Sequence, residues 1–111
     1  MEKMDKEKLE QIVIQQLKSI SDIELPINIY ELGLIYDTNV EIKEDCTVSV
    51  NITTTHIDSR KEDKYYFMDE IRKQIQSIED IDECNIDFVE TPKWDPSMIK
   101  PRALEKLRNA S

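Results

Sequence analysis

Gly33 is the only glycine in 111 residues, and it separates two kinds of hydrophobic pattern. Before it, apolar residues recur at helical spacing. After it, they alternate. Gly33 follows Pro26 within the stretch Asp22–Asp37. A lone glycine between apolar neighbours marks either a positive φ or a close approach of another backbone. The stretch is therefore read as the joint between a helical layer and a strand layer.

Residues 5–20 form the predicted first helix. Asp5 is its candidate N-cap, and Leu9, Ile12, Val13, Leu17 and Ile20 share one face. Ser21-Asp22 and Pro26 end it. Residues 27–32 are read as irregular or as one short helical turn. From Leu34 to Ile42, Leu34, Tyr36, Val40 and Ile42 share a parity opposite to Asp37, Asn39 and Glu41, which predicts a half-buried strand. Residues 46–54 alternate again, with Val48, Val50 and Ile52 inward and Cys46 on the same parity. The short polar link at 43–45 makes these two strands an antiparallel hairpin.

Ser59 and Glu62 fit a capping box. A helix over 60–77 follows, with Phe67, Met68, Ile71, Ile75 and Ile78 as its stripe. Residues 84–90 form a third strand, with Cys84, Ile86 and Phe88 on one face. Pro92 and Pro96 keep 91–96 irregular. Residues 97–108 form a terminal helix or two short turns, interrupted near Pro101. The order αββαβα over residues 1–111, read as one domain, predicts an α+β two-layer sandwich with helices packed on a small three-stranded mixed sheet.

The net charge is −9, and such a chain repels phosphate backbones, so nucleic acid is an unfavourable partner. The N-terminus is too charged for a secretory signal. No run approaches the roughly 20 apolar residues of a membrane span. A cytoplasmic, reducing location is expected, with Cys46 and Cys84 as thiols. They form no CxxC pair. Both share parity with strand core residues and are read as small buried hydrophobes. The run Tyr65-Tyr66-Phe67 cannot all face inward on a helix, which suggests an exposed aromatic and an interface.

Three blocks carry a family resemblance. The stretch Asp22-Ile-Glu24-Leu-Pro-Ile-Asn-Ile-Tyr-Glu-Leu32-Gly33-Leu-Ile-Tyr36 resembles the "D-P-E-[IL]-x-x-x-I-x-x-L-G-L-[VI]-Y" signature of SufT/PaaD-like iron–sulfur assembly proteins. Ile52-Thr-Thr54-Thr55 resembles that family's strand running into its threonine site. Pro92-Lys-Trp94-Asp-Pro96-Ser-Met98-Ile99 resembles its "P-P-W-[ST]-P-x-M-[IM]" block. The resemblance covers about residues 9–108 and implies the same αββαβ core with a C-terminal helix. It also implies a pocket shared by Asp22, Glu24, Thr54, Thr55 and position 58.

The family's loop carries a cysteine in "T-[ST]-P-x-C-P". Here Asp58 stands at the cysteine and His56 at the first proline, so the thiol is missing. A helix N-terminus favours either a thiolate or a carboxylate. A carboxylate is nevertheless a hard ligand, whereas iron–sulfur clusters are held by thiolates. Cys46 is no substitute, being eight residues and roughly 26 Å along a strand from Thr54.

The resemblance implies an accessory or adaptor in iron–sulfur cluster assembly and metal–sulfur cluster biosynthesis. Such a protein acts by contact with assembly scaffolds, carriers or client apoproteins, without catalysis and without a cofactor of its own. Trp94 and Met98 are candidate interface residues, since tryptophan is enriched at binding hot spots. One alternative is a metal-binding or enzymatic variant using His56 and Asp58 with Asp22 and Glu24, able to take Fe(II) or Zn(II). Another is a structural subunit of an oxygenase-type complex of the phenylacetyl-CoA pathway.

Overall fold

A computed structural model describes residues 5–57 and 60–110. Its elements are α1 (Lys6–Leu17), β1 (Ile35–Ile42), β2 (Val48–Thr54), α2 (Asp63–Gln76), β3 (Glu83–Phe88), a 3₁₀ turn at Pro96–Met98 and α3 (Pro101–Ala110). The sheet order is β1-β2-β3. β1 pairs antiparallel with β2, and β2 pairs parallel with β3. The sheet is thus mixed, and α2 is the crossover that a parallel pair requires. This is the expected α+β arrangement.

Asp5 caps α1 by accepting from the Lys8 amide at 2.8 Å. Leu9, Val13 and Leu17 lie fully buried one turn apart, each contributing about 1.5–3 kcal/mol of burial. The helix stops at Leu17, three residues early, because Ile20 and Asp22 pair instead with the returning chain. The Asp22 amide donates to the Ile27 carbonyl at 2.8 Å, and Ile29 to Ile20 at 2.9 Å. Residues 28–33 make a single tight turn, with the Leu32 amide on the Asn28 carbonyl.

Gly33 has φ +88°, and a Cβ there would sit 2.5 Å from the Met98 carbonyl oxygen. Both reasons for a glycine hold at once.

The hairpin forms with three corrections. β1 is bulged between Ile35 and Asp37, so Tyr36 is the extra residue and the simple alternation breaks there. Ile42 is exposed rather than buried, since it lies beside Lys6 at the very start of α1, where the helical cover ends. Cys46 is not a buried strand residue. It is exposed in the turn with φ 69°, and β2 starts only at Val48. The turn closes through the Cys46 amide on the Lys43 carbonyl at 2.9 Å, and this hydrogen bond claims the residue that the parity pattern had placed inside.

α2 starts at Asp63, not at residue 60, and Glu62 holds its N-cap position without a side-chain hydrogen bond. The expected capping serine, Ser59, lies outside the described residues, as does Asp58. Phe67, Ile71, Ile75 and Ile78 form the buried stripe. Cys84 is buried on β3 as expected. The last helix breaks as anticipated: a 3₁₀ turn capped by Asp95, then α3 from Pro101. No helix among the described residues is long and apolar enough to cross a membrane.

Candidate functional site

The site lies where the 22–33 stretch, the end of β2 and the start of α2 meet. Asp22 is held from two sides. Its Oδ2 accepts from the Glu24 and Leu25 amides at 2.9 and 2.8 Å. Both carboxylate oxygens also accept from Arg60, at 3.1 and 3.2 Å. The Asp22 side chain is 0% exposed and that of Arg60 is 13% exposed. Arg60 reaches Glu24 at 3.4 Å and Asp63 at 3.3 Å as well. Burial alone would lower the pKa of the guanidinium. Its hydrogen bonds to Asp22 and the three surrounding carboxylates outweigh that and hold it above its ordinary value.

Thr54 and Thr55 are buried and tie three chain segments together. The Thr54 hydroxyl and the Thr55 amide both donate to the Leu34 carbonyl, at 2.7 and 2.9 Å. The Thr55 hydroxyl donates to the Val89 carbonyl at 2.7 Å. These side chains replace ladder bonds at the point where the strands end. Tyr36 closes the same end. Its hydroxyl donates to the Pro92 carbonyl at 2.7 Å, with the Met98 sulfur 3.6 Å away. Burial raises the Tyr36 pKa, and the Thr55 hydroxyl opposes the rise.

His56 is not in an open loop; it is 6% exposed. Its Nδ1 lies 3.3 Å from the Ile57 carbonyl oxygen and its Nε2 lies 3.7 Å from Glu90. No hydrogen bond or ion pair among the described residues joins His56 to Asp22 or Glu24. Among the described residues no three of His, Cys, Asp and Glu are grouped to hold a metal ion. Cys46 sits in the β1–β2 turn and Cys84 is buried on β3.

Trp94 is half-buried, and its Nε1 donates to the Leu32 carbonyl at 2.8 Å. Met98 packs its backbone on Gly33. Both proposed interface residues thus fasten the C-terminal segment to the glycine turn. The most exposed aromatics are Tyr65 and Tyr66, at 65% and 45%.

Sequence reasoning placed Asp22 in a pocket wall but missed Arg60, the residue that fills it. The sequence shows only that Arg60 is the first arginine of the chain, next to the predicted helix start; its place beside Asp22 and Glu24 arises from the fold. It also missed Lys61, Glu90 and Lys93, which gather around His56. Lys61 precedes α2, while Glu90 and Lys93 share the segment after β3, and no spacing rule joins the two.

Comparison with known proteins gives one consistent answer. A relative in Porphyromonas gingivalis, named Fe-S protein maturation auxiliary factor, is 30% identical over 98 residues, 88% of this chain and 90% of its own. The Fe-S protein maturation auxiliary factor SufT of Staphylococcus aureus is 28% identical over 80 residues, 72% of this chain and 86% of its own. A solved domain of unknown function from Bacillus anthracis shares the fold with a TM-score of 0.75 at 22% identity, covering 93% of this chain and 94% of that one. The family model described as iron-sulfur cluster assembly protein matches residues 10–88, most of the chain, and this protein belongs to that family.

Proposed function

We propose that this protein is an accessory factor in iron–sulfur protein maturation that works as an adaptor. It contacts assembly scaffolds, carriers or client apoproteins, and it neither catalyses a step nor keeps a cofactor. A cluster, in this reading, is cargo held by its partners.

One observation carries the adaptor reading. The carboxylate that would face an incoming metal, Asp22, is buried against an internal cation, with both oxygens on Arg60. A carboxylate already neutralised by a guanidinium is a weak ligand, and a metal would have to displace a buried ion pair. The thiol that soft metal chemistry needs is missing from the loop, where Asp58 stands in its place. Meanwhile Tyr65 and Tyr66 stand in solvent at the start of α2, a few residues after Arg60. Tyrosines so placed are typical anchors of protein interfaces.

The test is affinity capture with the tagged full chain in native cell extract. Wild type is expected to recover SUF-type scaffold or carrier proteins. Tyr65→Ala with Tyr66→Ala is expected to recover several-fold less at unchanged stability. Recovery of none by the wild type would sink the reading.

A further inference from the structure

Thr55, His56, Lys61, Glu90, Lys93 and Trp94 line a cleft of about 290 Å³. In a chain of net charge −9, this lining is locally inverted, with two lysines against one carboxylate. Lys61 and Lys93 come from separate segments, and both are exposed. No carboxylate pairs with either among the described residues, whereas Lys43, Arg60 and Lys106 all have one.

His56 adds a second observation. The ring is buried, yet its Nε2 reaches only Glu90 Oε1, at 3.7 Å. That is beyond hydrogen-bond distance, so among the described residues this nitrogen lacks a hydrogen-bond partner. No buried side-chain nitrogen or oxygen among the described residues lacks a partner, so this Nε2 is not sealed in but stays accessible on the cleft side, where an entering group can meet it. Trp94 supplies an apolar wall, fixed in place because its own N–H is taken by the Leu32 carbonyl.

We propose that this cleft binds the oxyanion group, phosphate or carboxylate, of a small molecule whose apolar body rests on Trp94. Lys61 and Lys93 are the donors, and the His56 Nε2 joins them when the ring carries a hydrogen there. An oxyanion between the ammonium groups relieves their mutual repulsion and gives the imidazole its partner. The volume suits a ligand at the small end of the usual range. Glu90 opposes the anion, but its side chain is 74% exposed and turns to water as the ligand enters. A cation is disfavoured, because His56 and Glu90 are only two ligands and both lysines repel it. The site is independent of the adaptor role and is tested without any partner.

Trp94 is the only tryptophan, so its fluorescence reports on the cleft in the full chain. Inorganic phosphate, phenyl phosphate and benzoate are titrated at fixed ionic strength, with sodium chloride as control. A saturable change is expected with phenyl phosphate or benzoate, and which of the two binds more tightly identifies the oxyanion. Lys61→Gln and Lys93→Gln should each weaken it about tenfold, and Glu90→Gln should tighten it. Exposed lysines tolerate this change, and circular dichroism checks the fold. Three results overturn the proposal: a response no larger than that of chloride, a response unaltered in both lysine variants, or a saturable zinc response lost in Glu90→Gln with none to the anions.

Discussion

Arg60 grips Asp22 with both arms of its guanidinium, at 3.1 and 3.2 Å, and the carboxylate it grips is wholly out of water. The two residues are 38 apart in sequence. The pair therefore fastens the stretch that follows α1 to the start of α2. Burying a carboxylate is tolerable only with such a partner.

Arg60→Ala leaves Asp22 buried and unpaired, and should cost about 3–5 kcal/mol. Arg60→Lys should recover only part of this, because an ammonium cannot make the two-pronged contact. Urea unfolding of the three proteins checks both. An alanine variant within about 0.5 kcal/mol of wild type, the range of ordinary surface changes, would show that the pair adds nothing to stability.

Gly33→Ala should be among the most damaging single substitutions. The residue sits at φ +88°, which costs a side chain about 1–2 kcal/mol. The new Cβ would also lie 2.5 Å from the Met98 carbonyl oxygen, and that backbone must move. A loss of more than about 2 kcal/mol is expected, together with a shift in Trp94 emission as the 91–99 segment lifts. An unchanged melting temperature would contradict the contact.

Cys84 gives a pH signature. Burial pushes its thiol above the ordinary value of 9.0, with the Arg72 charge pulling the other way. Below pH 9.0 the thiol is protonated in both the folded and the unfolded chain, and its contribution is complete. As pH rises past that value the unfolded chain ionises first, so stability falls until the folded value is passed. The urea midpoint should drop from pH 8 to pH 10 more steeply in wild type than in Cys84→Ala. Iodoacetamide at pH 8 should modify exposed Cys46 and spare Cys84 until the chain is unfolded. Equal slopes, or equal labelling, would contradict the burial.

Tyr36→Phe removes a single hydroxyl that donates to the Pro92 carbonyl. The expected loss is about 1 kcal/mol, read by denaturant midpoint. Phe has the right shape for the site, so circular dichroism should be unaltered. A loss above about 3 kcal/mol, more than one unmade hydrogen bond costs, would mean that the ring itself is displaced.

Much of this fold was legible because its layers announce themselves by period. Leu9, Val13 and Leu17 mark one helix face, and Val48, Val50 and Ile52 mark one strand face, whatever surrounds them. The misread positions are those where a local pattern was overruled from outside it. Cys46 keeps strand parity on paper, but the turn needs a left-handed residue just there. Ile42 keeps it too, but the helix that should cover it begins only beside it. The site was half legible. Asp22, Thr54, Thr55 and Trp94 could be found from motifs, and each makes a specific internal hydrogen bond. Arg60, Lys61 and Lys93 could not, since their meaning arises from which segments the fold brings together.

The Trp94–Leu32 hydrogen bond spans 62 residues, and the Gly33–Met98 contact spans slightly more. A ribosome must have passed Trp94 before the first can form and Met98 before the second. Until then the glycine turn waits with the Leu32 carbonyl unmatched and the sheet end uncovered. Contacts this far apart in sequence close slowly, and N-terminal structure is ordinarily assembled first. The newborn protein therefore passes through an interval in which its motif-bearing turn is complete in sequence but still open to other hands, chaperones and proteases included.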